Sequence, residues 1–224
     1  HGADFLIKDM HRLTLIMKKN YPDLPYVLIG HSMGSYMSRK YASIYGDELD
    51  GVIFLGTGNQ PKAVVDSGLK LAHIAKLVRG ERYRSELLNT IMFGAYNKRI
   101  KDNRTANDWL TKDTKIVDEY LSDPKCSYKF TANAYIGFLN VIKYDIDKKN
   151  IAKTPDKLPV LFASGLEDPV GDYGKGVKKA FKMYTKYVDN VELYLYEDDR
   201  HELHSETDRE DIFSDLYEWI EENV

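Results

Sequence analysis

Three continuous apolar runs, Tyr26–Ile29, Val52–Leu55 and Val160–Ala163, stand out against a polar chain, and Val191–Leu195 makes a fourth, broken only by Glu192. Short runs of this kind, rich in β-branched and aromatic residues and bounded by turn residues, read as strands of a covered sheet. Elsewhere the apolar residues recur every three or four positions, the period of a helix. Residues 4–19 predict an amphipathic helix with Leu6, Met10, Leu13 and Met17 in one stripe, ended by Tyr21-Pro22-Asp23-Leu24-Pro25. After the first run, Tyr36, Met37, Lys40, Tyr41 and Ile44 predict a second helix stopped at Gly46. Val177, Phe181 and Tyr184 mark another, and Ile212, Leu216, Trp219 and Ile220 a last one over residues 208–223. Strands alternating with helices predict an α/β fold, a parallel sheet covered on both faces. Between Gln60 and Asn150 the strand signal vanishes and helical patterns replace it, at 64–78, 85–93, 116–121 and 135–144, with a break at Asp123-Pro124. The expectation is a helical lid over 60–150, inserted into a core made of 1–59 and 151–224.

The chemistry lies at the end of the first run. Gly30-His31-Ser32-Met33-Gly34 is a G-x-S-x-G pentapeptide entered from a strand and left by a helix. That context marks a nucleophile elbow, a sharp turn that lifts the serine hydroxyl from the chain and places the next backbone N–H, that of Met33, where an oxyanion would form. Both glycines are expected there because side chains would collide in the turn.

A serine hydroxyl needs a base, and the base an orienting acid; in this architecture they follow in the order Ser, acid, His, each in a loop after a strand. Ser164-Gly165-Leu166-Glu167-Asp168-Pro169 follows the third run and Glu197-Asp198-Asp199-Arg200-His201-Glu202 the fourth. His201 is the expected base, with His204 its rival; His1, His11 and His73 lie away from strand ends, and His31 packs beside the turn. Asp168 is the expected acid over Glu167 and Asp172. The loop after the second run, Gly56-Thr57-Gly58-Asn59, holds no carboxylate. Asp198 and Asp199 read as a solvated charge cluster.

Composition adds only boundaries. The 224 residues carry 43% hydrophobic and 30% charged side chains and a net charge of −3, which gives no electrostatic case for nucleic acid. One cysteine, Cys126, leaves no internal disulfide and no cysteine-based zinc site, and neither metal nor cofactor is expected. No apolar run is long enough for a membrane span, the first residues lack the features of a signal peptide, and the default location is intracellular, in the cytoplasm. Seventeen tyrosines against eight phenylalanines suit amphipathic packing between layers, or an aromatic substrate groove.

On Gly30–Ser35, Ser164–Gly171 and Arg200-His201-Glu202-Leu203 the chain resembles the alpha/beta-hydrolase superfamily, and within it the monoacylglycerol lipase and lysophospholipase group that includes serine aminopeptidases. Asn107–Thr111 and Asp123–Cys126 are similar to lid segments of bacterial members. The resemblance implies a carboxylester hydrolase acting on monoacylglycerols, lysophospholipids or similar acyl esters, with Ser32, His201 and Asp168 as its triad and no cofactor. It also implies strands upstream of residue 4 and a second oxyanion donor in an upstream His-Gly loop. His1-Gly2 does not fit that donor, because one helix alone separates it from the elbow strand. On this reading the second donor is missing upstream, the chain matches the C-terminal two-thirds of the fold, and an exposed sheet edge invites homo-oligomers. Fold and triad equally permit an aminopeptidase, with Asp108, Asp113, Asp118 or Glu119 reading a substrate amine, or a thioesterase. A catalytically silent fragment is the alternative of a different class.

Overall fold

The computed structural model describes residues 2–101, 103–126 and 128–224; His1 of the discounted His1-Gly2 pair lies outside them. Four parallel strands, β1 (Val27–His31), β2 (Gly51–Leu55), β3 (Val160–Gly165) and β4 (Val191–Tyr196), lie in chain order. Every predicted strand is present, and the register aligns Gly30 with Phe54, Phe54 with Phe162 and Phe162 with Leu193. The two inner strands are buried along their whole length, as their unbroken apolar runs require. Among the described residues β1 pairs only with β2, and its Ile29 is 50% exposed.

Alternation along β2 and β3 builds two cores. Val52, Phe54, Val160 and Phe162 face one side, against α2 (Met33–Tyr45), α6 (Ala132–Asp145) and α8 (Lys175–Tyr184). Ile53, Leu55, Leu161 and Ala163 face the other, closed by Leu203 and by Ile212, Leu216 and Trp219 of α9 (Arg209–Asn223). Helices thus cover both faces. Between β2 and β3 the described residues form helices and turns and no strand: α3 (Lys62–Arg79), α4 (Glu86–Phe93), α5 (Thr114–Ser122), α6 and the single turn α7 (Lys148–Ile151).

The first helix, α1 (Gly2–Asn20), turns a different side inward from the one its large apolar residues suggest. Ala3, Ile7 and Thr14 are buried, whereas Leu6 and Leu13 of the expected stripe are about half exposed. The inward seam packs on α2 and α6, where close approach favours small side chains; Thr14 receives the Tyr41 hydroxyl at 2.9 Å. The charge of Arg39 in α2 was equally hidden from hydropathy. Fully buried, its guanidinium donates to Gly58 O at 2.8 Å and Asp145 O at 3.0 Å, tying the loop after β2 to the end of α6.

The turn from β1 into α2 is tight. Ser32 sits at φ 54°, ψ −121°, a strained backbone for a residue with a side chain. A Cβ at Gly30 would lie 2.5 Å from Gly34 O and 2.3 Å from Ser38 Oγ, so the first glycine of the pentapeptide is obligatory. The second is not: a Cβ at Gly34 meets nothing within 4 Å, correcting the collision expected there. Gly30→Ala should therefore lower stability by about 1–3 kcal/mol through overpacking, while Gly34→Ala should change it by less than about 0.5 kcal/mol. Urea unfolding of both variants checks this; equal losses would contradict it.

Candidate active site

Because the strands are parallel, the loops after β1, β3 and β4 leave the same edge of the sheet, and the three candidate side chains converge there. His201 Nε2 lies 2.8 Å from Ser32 Oγ, and His201 Nδ1 lies 3.0 Å from Asp168 Oδ2. With Nδ1–H donating to the carboxylate, Nε2 keeps its lone pair toward the serine hydroxyl. Asp168 and His201 are both buried, and Asp168 Oδ1 accepts the Val170 N–H at 2.8 Å, fixing the carboxylate's orientation. The alternatives lie elsewhere: Glu167 and Asp172 are exposed, and so is His204. Gly56, at φ 56°, gives the imidazole its space, since a Cβ there would come within 3.0 Å of His201 Nδ1.

His31 stacks obliquely on His201, with ring centroids 4.7 Å apart, and its Nε2–H donates to His201 O at 3.1 Å. Burial, reinforced by the neighbouring His201 and His204, pushes the His31 pKa down to about 3. It stays neutral beside the serine–histidine pair.

The loop carrying His201 is held by residues that motif reading missed. His201 N–H donates to Trp109 O at 3.4 Å and Glu202 N–H to Leu110 O at 2.7 Å, so the loop runs alongside residues 108–112. Arg200 donates to the carbonyls of Asp108 and Thr111 at 2.7 and 3.0 Å. Glu206, wholly buried, accepts from Arg200 N, Lys112 N and Thr111 Oγ1 at 2.8–3.0 Å. Burial raises its pKa against those donors. Asp199, expected in a solvated cluster, is instead buried and paired with Lys112 at 2.5 Å. The spacing of Glu206 five residues after His201 was visible but carried no known chemistry.

Ser32 opens into a cavity of about 730 Å³. Its walls are mostly apolar, with Val65, Met92, Phe138, Leu139 and Ile142 from the helical block and Val170 from the loop after β3. Trp109 sits between the cavity and His201, its ring centroid 5.0 Å from the imidazole. Asp172 is the one carboxylate on the wall among the described residues, accompanied by Lys175 and Lys179.

A family model described as serine aminopeptidase, S33, matches residues 1–208. The chain is 21% identical to a monoglyceride lipase homolog of Monkeypox virus over 216 residues, 96% of this chain and 69% of that protein. A highly thermostable carboxyl esterase from Bacillus coagulans superposes with a TM-score of 0.89 at 28% identity, covering 97% of this chain and 71% of its own. A lipase in its open form gives a TM-score of 0.87, also at 28% identity, over 98% of this chain and 72% of that one. A Saccharomyces cerevisiae monoglyceride lipase, 20% identical with a TM-score of 0.72 over 100% of this chain and 70% of that one, shares the fold. The chain belongs to the serine aminopeptidase, S33, family, and with these esterase and lipase relatives it is an alpha/beta-hydrolase of the carboxylester-hydrolase kind, as the resemblance implied.

Proposed function

We propose that the chain hydrolyses acyl esters of medium size, such as monoacylglycerols or lysophospholipids, through Ser32, His201 and Asp168. The observation that carries this reading is the hydrogen-bonded chain from Asp168 through His201 to Ser32 at the end of an apolar cavity. His201 Nε2 takes the hydroxyl proton as Ser32 Oγ attacks the ester carbonyl; the carbonyl electron pair moves to oxygen, and the Met33 N–H stabilises that oxyanion. The imidazolium, steadied by Asp168, returns its proton to the leaving alcohol as the carbon–oxygen bond breaks. Water, deprotonated by the same histidine, then releases the acid from the acyl-serine. Residues 60–150 act as a lid whose apolar wall receives the acyl chain.

The aminopeptidase reading has less support. Asp108 is occupied by Arg104 N and by Thr105 N and Oγ1. Asp113 caps α5, and Asp118 pairs with Arg104 at 3.1 Å. None of the three, nor Glu119, lines the cavity.

Ser32→Ala should abolish turnover of a medium-chain p-nitrophenyl ester. Asp168→Asn should lower kcat by roughly 10³–10⁴-fold, the scale at which a mis-set tautomer acts, with KM nearly unchanged. Amino-acid anilides should be turned over far more slowly than the ester; comparable rates would reverse the choice of substrate class. His31 predicts a pH effect on stability. Its folded pKa, about 3, lies below its ordinary 6.5, so the unfolded chain binds the proton first. The stability it supports is complete above pH 6.5 and is lost as the pH falls toward 3, with a slope of up to about 1.4 kcal/mol per unit. Urea unfolding across pH 4–7 should show this limb flattened in His31→Asn.

A further inference from the structure

Beside the cavity mouth the last crossover helix presents a row of cations. α8 buries Gly176, Val177, Ala180 and Tyr184 against the sheet, while Lys175, Lys178, Lys179 and Lys182 are exposed, with Lys186 just past its end. Spacings of three and four residues put these lysines on one face, and at 1.5 Å per residue the helical part of the row spans about 10 Å. With Met183 they line a shallow groove of about 550 Å³. Among the described residues none of the five has a carboxylate within ion-pair distance, whereas Lys62, Lys112, Lys143 and Lys157 each do. Like charges at these spacings repel, and in a chain of net charge −3 the row is a local feature.

A second observation gives the row a direction. Lys175 and Lys179 also line the main cavity, and so do Val64, Leu71 and Ile91 of the helical block, which are 60%, 38% and 51% exposed. One opening thus has a cationic side and an exposed apolar side, and Asp172 is the one carboxylate lining it among the described residues. Ammonium groups at the level of anionic headgroups and apolar side chains set into the acyl boundary are the two contributions that hold a protein on a lipid surface. Lys178, Lys182 and Lys186 continue the row beyond the cavity, farther than one headgroup reaches.

We propose that the α8 lysine face docks on an anionic lipid surface, holding the cavity mouth against it so that an acyl ester passes from the lipid to Ser32. This rests on the ester-hydrolase reading. The test is co-sedimentation of the chain with phosphatidylcholine vesicles, with and without phosphatidylserine, beside the K178E/K182E/K186E variant, whose three positions lie outside the cavity. Binding should require phosphatidylserine, weaken on the order of 100-fold in the variant, and disappear as salt is raised toward ~1 M. Hydrolysis of a soluble short-chain ester should be the same in both proteins, and that assay reads the catalytic proposal separately. Equal binding to both kinds of vesicle, binding to neither, or wild-type binding by the variant would overturn the docking proposal. Retention on heparin without vesicle binding would overturn it too, assigning the row to another polyanion.

Discussion

The backbone of Ser32 is the constraint around which the rest of the molecule is arranged. A side-chain-bearing residue at φ 54° is unfavourable by about 1–3 kcal/mol and persists only where its surroundings over-determine it. Here they do. Ser32 N–H donates to Leu55 O at 3.0 Å, Ser35 Oγ donates to Ser32 O at 2.6 Å, and the absent side chain of Gly30 lets the first turn of α2 close over the strand end. The outcome is a hydroxyl facing out of the sheet edge, where the loops after β3 and β4 also emerge. Parallel strands supply the meeting point; the strained turn supplies the direction.

The partner of that hydroxyl is held from two sides. The His201 loop is held on one side by the strand ends, where His31 donates to His201 O and Glu167 N–H to Asp199 O, and on the other by residues 108–112 of the helical block. Backbone bonds to Trp109 and Leu110, the Arg200 fork and the buried Glu206 carboxylate join the two segments into one unit. Trp109 belongs both to this unit and to the cavity wall. The helical block therefore shapes the cavity at Ser32 and supports the histidine that faces the serine. Movement of that block would be felt at His201.

Much of this arrangement is legible in the sequence. Apolar runs, three of them continuous and one broken by Glu192, identified all four strands, and strand, elbow and helix stood in the order that gives the turn its meaning. Loop position alone brought forward Asp168 and His201, which meet in the structure. What escaped was the part decided by partners far away in sequence. The α1 seam follows close helix packing, which favours Ala3 and Thr14 over the larger Leu6 and Leu13. Asp199 read as part of a solvated charge cluster, and nothing in the sequence singled out Arg39 or Glu206, since only the fold brings Lys112, Gly58 and Thr111 to them.

The central claim is that Ser32 is activated by His201 and Asp168 in this chain, and reaction with a fluorophosphonate reads that activation most directly. Purified, folded chain would be treated with the probe beside Ser32→Ala, and the modified peptide located by mass. One adduct is expected, on Ser32, absent from the variant and slowed by a competing monoacylglycerol. A folded chain that takes up no label, or the same label persisting in Ser32→Ala, would contradict it.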